Sequence, residues 1–160
     1  MLAVLALALA PSVGNDVRAC TARDLQPAGG MLQGATGSMV GFVRFRNVST
    51  TRCRVGGRPR ARIFDHGETL LPTRERPVRG RTIGVLPVRE VSARGRLTLY
   101  LFWSEWCGAW PRRTFVRTLF LHVTLTTGVH LTAPFRSGRP RCDTRAGSTL
   151  GVTAFGLPRS

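Results

Sequence analysis

The stretch Leu97-Thr98-Leu99-Tyr100-Leu101-Phe102-Trp103-Ser104-Glu105-Trp106-Cys107 decides the fold class. With period two, Leu97, Leu99, Leu101 and Trp103 point to one side and Thr98, Tyr100 and Phe102 to the other. Both sides are largely apolar, so the segment predicts a strand in the middle of a sheet with its two faces covered. It carries no obvious reactive group. Ser104-Glu105 is not accompanied by the glycine elbow or histidine motif that an activated nucleophile needs.

Downstream, Phe115 to Leu125 predicts a second long strand, with Phe115, Leu119, Leu121, Val123 and Leu125 on one face and Arg117 as the exception. Thr126-Thr127-Gly128 turns it back into Val129 to Ala133, the clearest hairpin in the chain. Upstream, Met39 to Arg46 is a strand that offers either Val40 and Phe42 or Val43 and Phe45 to the core, and its register stays open. In Ala61 to Asp65 the inward Ala61 and Ile63 alternate with Arg60 and Arg62, which mark a solvent face. Asp65-His66-Gly67 makes a turn into Glu68 to Leu71, which Pro72 ends. Thr82 to Val88, Glu90 to Ala93 and Leu150 to Phe155 supply shorter strands. Thr21 to Gly37, rich in Gly and Ala, reads as an irregular arm. Thr73 to Arg81, with Arg74, Arg76, Arg79 and Arg81, reads as an exposed loop. No internal repeat, heptad pattern or helix of useful length is present. The expected fold is an all-β, immunoglobulin-like β-sandwich of about seven to nine strands, monomeric.

Met1 to Ala10 is an uninterrupted apolar run broken by Pro11, Ser12 and Gly14. It is about half the roughly 20 residues that a membrane-spanning helix needs and has the length of a signal-peptide core. Residues 1–14 are therefore expected to be an export signal cut after Gly14, and residues 15–160 a single domain. The signal lacks a basic n-region, so it is read as incomplete at its start. Val17-Arg18-Ala19-Cys20 has the offsets of a lipidation site, but the charges of Asp16 and Arg18 make it a poor one. Lipidation at Cys20 would also leave three cysteines, an awkward number for an exported chain.

Cys20, Cys53, Cys107 and Cys142 show no pair at zinc-site spacing, so two disulfides are expected and no metal or cofactor. Three pairings are possible. Cys53 follows a polar turn and Cys107 follows a strand end, which favours end staples, Cys20 to Cys53 and Cys107 to Cys142. Each closes some 35 residues, worth roughly 3 to 4 kcal/mol in the chain-entropy picture. The placement is that of a secreted or cell-envelope protein without a transmembrane anchor.

The formal charge is +16, and all 24 basic residues are arginine. A very GC-rich genome imposes such a skew, so the charge by itself does not indicate specific nucleic-acid recognition, and no nucleic-acid module signature is present. Attraction to anionic polymers follows from the charge whatever its origin. The basic segments at Arg74, Arg76, Arg79 and Arg81, at Arg112 and Arg113, and at Arg136 to Arg145 are candidate anion-binding positions or simply solvated arginines. Trp103 continues the inward leucine face, whereas Trp106 and Trp110 sit in a loop where rings can stack on sugars or bases. His66, His122 and His130 are read as turn or surface residues, since neither a nucleophile nor a ligand set accompanies them. Asn47-Val48-Ser49 is formally a glycosylation sequon but is read as a turn.

The order of features resembles the actinobacterial secreted family called domain of unknown function 4232. The matching pieces are Cys20, the strand Gly41 to Phe45 leading to Asn47-Val48-Ser49, Cys53 with Gly56-Gly57-Arg58-Pro59, the strand to Asp65 and Gly67, the strand ending Leu101-Phe102-Trp103, then Cys107 and Cys142. The Arg-rich insertion before the central strand departs from the family's pattern. The resemblance implies an exported β-sandwich with paired cysteines and no established activity. Taken together, the expected function is a non-enzymatic binding or envelope-associated module that touches an anionic cell-wall polymer, a lipid surface or a protein partner. A structural domain without ligand is the alternative, and a hydrolase a distant third.

Overall fold

The computed structural model describes residues 17–78, 85–110, 115–143 and 147–158. The expected signal peptide over residues 1–14 lies outside them. Thirteen strand segments and no helix occur among the described residues. In chain order they are β1 (Leu25–Ala35), β2 (Ser38–Asn47), β3 (Cys53–Arg54), β4 (Arg60–Phe64), β5 (Leu70–Leu71), β6 (Arg74–Pro77) and β7 (Val85–Pro87), then β8 (Glu90–Val91), β9 (Arg96–Ser104), β10 (Arg117–Thr124), β11 (His130–Ser137), β12 (Thr149–Val152) and β13 (Gly156–Pro158).

The chain is all-β, but its strands are not divided into the two separate sheets that an immunoglobulin-like sandwich implies. One hydrogen-bonded path runs β5-β4-β10-β11-β1-β2-β9-β12-β6, with β13 and β7 attached through β9, and only β3 and β8 pair apart from it. The link is β1, which the composition of Thr21 to Gly37 had suggested was an irregular arm. Its Met31 and Leu32 lie beside Arg136 and Ser137 of β11 in parallel and beside Phe42 and Gly41 of β2 in antiparallel pairing. Two ladders that would otherwise be separate are thereby joined. The sheet then curls until its ends meet: β4 touches β12 and β6, and the Ala61 N–H donates to Oε2 of Glu75 at 3.2 Å.

Alternation explains which face goes inward. In β9, Leu97, Leu99, Leu101 and Trp103 are shut from water, as are Leu119, Leu121 and Val123 of β10 and Leu131, Ala133 and Phe135 of β11. The strand β2 resolves its open register in favour of Val43 and Phe45, while Val40 and Phe42 stay half-buried on the outer side. Two expected boundaries shift. Phe115 precedes the β10 ladder and is 92 % exposed, so it does not join the inward row. The strand β11 continues past Ala133 to Ser137 in unbroken alternation. Arg74–Pro77, expected as a loop, is instead a fully exposed edge strand parallel to β12. Arginines and a proline at an edge discourage pairing with further chains.

Gly41 shows how close β1 and β2 lie. A Cβ built there would collide with the carbonyl oxygen of Met31 and approach Cα of Leu32 to 2.8 Å, and both obstacles are backbone. Gly41→Ala should therefore lower stability by about 1 to 3 kcal/mol. The check is a urea midpoint that falls at unchanged slope.

One pole of the sheet is tied by Cys20–Cys53, the pairing that the strand-end positions favoured. Beside it Arg18 grips Asp24 with both terminal nitrogens, at 2.7 and 2.9 Å, and Asp24 also accepts from the Thr21 N–H and hydroxyl. The sequon residue Asn47 is fully buried. Its Nδ2 donates to the Thr51 and Ser92 carbonyls and its Oδ1 accepts from Ser49, so it closes a turn as expected.

The Arg18 guanidinium, helped by the two Thr21 donors and opposed by burial, holds the Asp24 carboxyl well below the usual carboxylate range. A group whose folded pKa is depressed stabilises the fold above its unfolded value, about pH 4, and loses that contribution as pH falls toward the folded pKa. Asp24→Asn should thus have a lower urea midpoint than the parent at pH 7. The gap should narrow as the pH drops below about 4.

Candidate functional site

The opposite pole is built where β9 runs out. Glu105 adopts a left-handed backbone (φ 59°), which folds Trp106 back over the end of the strand. The indole of Trp106 packs on Trp103 with centroids 5.8 Å apart, Trp110 packs on Trp103 at 6.2 Å, and the Arg117 guanidinium lies 5.2 Å from the centre of the Trp110 ring. Trp103 donates from Nε1 to Ser148 Oγ at 2.9 Å, and that hydroxyl donates onward to the Ser104 carbonyl. Cys107–Cys142 fastens the loop, as the strand-end reading expected. Gly108 has to be glycine because the Trp106 ring occupies the place of its Cβ.

Three adjoining depressions surround this pole, of about 660, 560 and 480 Å³. The first two share Trp106 and Gly108. The third lies between Arg62, Leu70, Pro72 and Arg74.

The site residues singled out in the sequence fare unequally. Trp106 is only 7 % exposed and belongs to the core, so it is not an open stacking platform. The reason is local: the left-handed turn at Glu105 directs the ring inward onto Trp103, which the sequence pattern does not reveal. Trp110 is half-buried against the same core. Arg74 and Arg76 project from the exposed edge strand β6. Arg79, Arg81, Arg112 and Arg113 lie outside the described residues. The histidines do not converge. His122 stacks on Phe64 at 3.9 Å, His130 meets Thr124 Oγ1 at 3.1 Å, and His66 lies 6.0 Å from Phe120. His130 sits opposite Thr124, not opposite His122. Among the described residues no three His, Cys, Asp or Glu side chains gather as metal ligands would.

A second surface was missed in the sequence. The outer side of the central strands carries Arg44 and Arg46 on β2, Arg96 on β9 and Arg136 on β11, all exposed. None of β1, β2, β9, β10 and β11 contains an Asp or Glu. Among the described residues the acids lie elsewhere: Asp24 in its clamp, Asp65 and Glu68 in a turn, Glu75 and Glu90 on short strands, Glu105 and Asp143 at the tryptophan pole. The signal was available in Arg44-Phe45-Arg46, where arginine alternates with an inward phenylalanine, but only the assembled sheet brings Arg96 beside it.

No family model, curated protein or solved structure matches the chain. The resemblance to domain of unknown function 4232 therefore rests on the order of cysteines, strands and turns alone.

Trp106→Ala should cost about 3 to 5 kcal/mol, the range for emptying a buried aromatic site. Thermal or urea unfolding measures it. A loss under 1 kcal/mol would mean that the ring is not held in the core.

Proposed function

We propose that this chain is an exported, non-enzymatic binding module that associates with anionic polymer of the cell envelope. The observation that carries the reading is an arginine excess that the fold leaves in water. Twenty-four arginines stand against eight acids, so most of the guanidinium groups have no carboxylate of the chain to pair with. A field of one sign over an extended surface concentrates anionic polymers near it. The two disulfides fit an oxidising compartment, which supports export of the kind expected from the apolar run at Met1 to Ala10. The resemblance to a secreted family without established activity points the same way.

Such binding is electrostatic, so it should be strong at low ionic strength and fade as the screening length falls from about 10 Å at 0.1 M salt to about 3 Å at 1 M. Sedimentation of the purified protein with a cell-envelope fraction across that salt range provides the measurement. No sedimentation even at the lowest salt would rule the reading out.

A further inference from the structure

The strongest unexplained feature is the facing pair Arg46 and Arg96. They are direct cross-strand partners on β2 and β9, both exposed, and neither makes an ion pair among the described residues. Like charges placed opposite each other across a ladder destabilise it. Proteins ordinarily relieve such a pair with a nearby carboxylate, yet the five central strands contain none. On β1, the residue beside Arg46 is Gln26, which is neutral. Arg44 lies on the same outer side two residues further along β2, about 7 Å away by strand geometry. Its guanidinium lies 4.1 Å from the centre of the Phe42 ring. That stacking restricts the side chain and leaves the edges of the guanidinium plane free to donate. Beyond it Phe42 stands directly opposite Tyr100, so two half-buried rings adjoin the three cations.

We infer that the outer face of β2 and β9, centred on Arg44, Arg46 and Arg96, is the binding site for an anionic polysaccharide, a sugar chain bearing carboxylate, sulfate or phosphate groups. The assignment rests on the binding-module reading and gives it an address and a ligand class. An anion seated between Arg46 and Arg96 removes their mutual repulsion and accepts the planar fork of each guanidinium, the geometry that suits carboxylate and phosphate oxygens. Tyr100, the half-buried residue opposite Phe42, brings a phenolic hydroxyl of the kind that pairs with sugar hydroxyls.

Other polyanions fit less well. A base-stacking platform needs open ring faces, and the face of Phe42 is covered by Arg44. Insertion into a lipid layer needs protruding apolar side chains, and on this face the large hydrophobic that stands out is Met31, at 42 % exposure. Phe115, the most exposed large hydrophobic among the described residues, precedes β10 and lies outside the β2–β9 face.

The test compares two triple variants of equal charge. Arg44→Ala with Arg46→Ala and Arg96→Ala empties the proposed site. Arg58→Ala with Arg60→Ala and Arg62→Ala removes the same three charges on and just before β4, toward one end of the sheet path. Binding to polygalacturonate and dextran sulfate, with neutral dextran as reference, is measured at about 0.1 M salt, where diffuse attraction is partly screened. The site triple should bind roughly tenfold more weakly or worse, the loss of interactions worth about 1.4 kcal/mol in all, and the control triple within about twofold of the parent. Equal weakening in both triples would overturn the site and leave only diffuse attraction. Binding of the parent to neutral dextran as tightly as to the charged polymers would overturn the anionic class. Binding to phosphatidylserine vesicles that depends on the site triple, with none to either polysaccharide, would overturn the ligand class in favour of a lipid surface. Retention of the site triple by the envelope fraction would remove this site while the binding-module reading stands; failure of the parent to bind either the fraction or the polymers would remove both.

Discussion

The inner side of β9 is closed to water along its whole length, from Leu97 through Leu99 and Leu101 to Trp103. Each such side chain contributes roughly 1.5 to 3 kcal/mol relative to leaving it exposed. An exposed ion pair, by comparison, is worth between about 0 and 1 kcal/mol. Burial of this one row therefore outweighs any single polar contact at the surface. Its edges are satisfied as well, since β9 is bonded to β2 along one side and to β12 and β13 along the other. The remaining strands are arranged so that this row has something to pack against, and the curl that brings β4 up to β12 and β6 closes the space around it.

Both poles of the curled sheet then need closing, and the chain does it with different chemistry. At one end Cys20–Cys53, the Arg18–Asp24 grip and the buried Asn47 hold irregular backbone whose polar groups would otherwise lack partners. At the other, three indoles fill the mouth and Cys107–Cys142 secures the loop that carries two of them. Trp103 and Trp106 are thus committed to the fold. This moves attention from the loop aromatics to the flank of the sheet, where charge is left over.

That leftover charge has a definite placement. A basic composition imposed by codon usage would scatter arginines wherever the surface tolerates them, and most of them here are scattered. Acidic residues, however, are absent from the five central strands and present at turns, short strands and poles. A cation surrounded by other cations and rings is poorly screened by its own protein, so its natural counter-charge is external. The Arg46–Arg96 pairing concentrates this at one spot on the sheet.

How much of this was legible beforehand follows from what each property depends on. Side-chain alternation is local, so the inward rows of β9, β10 and β4 and the hairpin at Thr126–Gly128 could be read directly, as could the turn at Asn47. The disulfide pairing was legible because the cysteines stand at strand ends and not within alternating apolar runs. The strand β1 was not legible, because its Gly- and Ala-rich sequence has weak intrinsic preference and becomes a strand through partners on both sides. Trp106 was misjudged because a single left-handed residue at Glu105 reverses the direction of its ring. The sequence by itself determined the all-β class and the buried central strand, which depend on residues near one another in the chain, and the sign of the charge, which is a sum over composition; among three disulfide pairings it favoured the one that the structure shows. Only the tertiary structure decided that the sheet is continuous and which arginines face each other, because Arg46 and Arg96 are separated by 50 positions and meet solely through the pairing of β2 with β9.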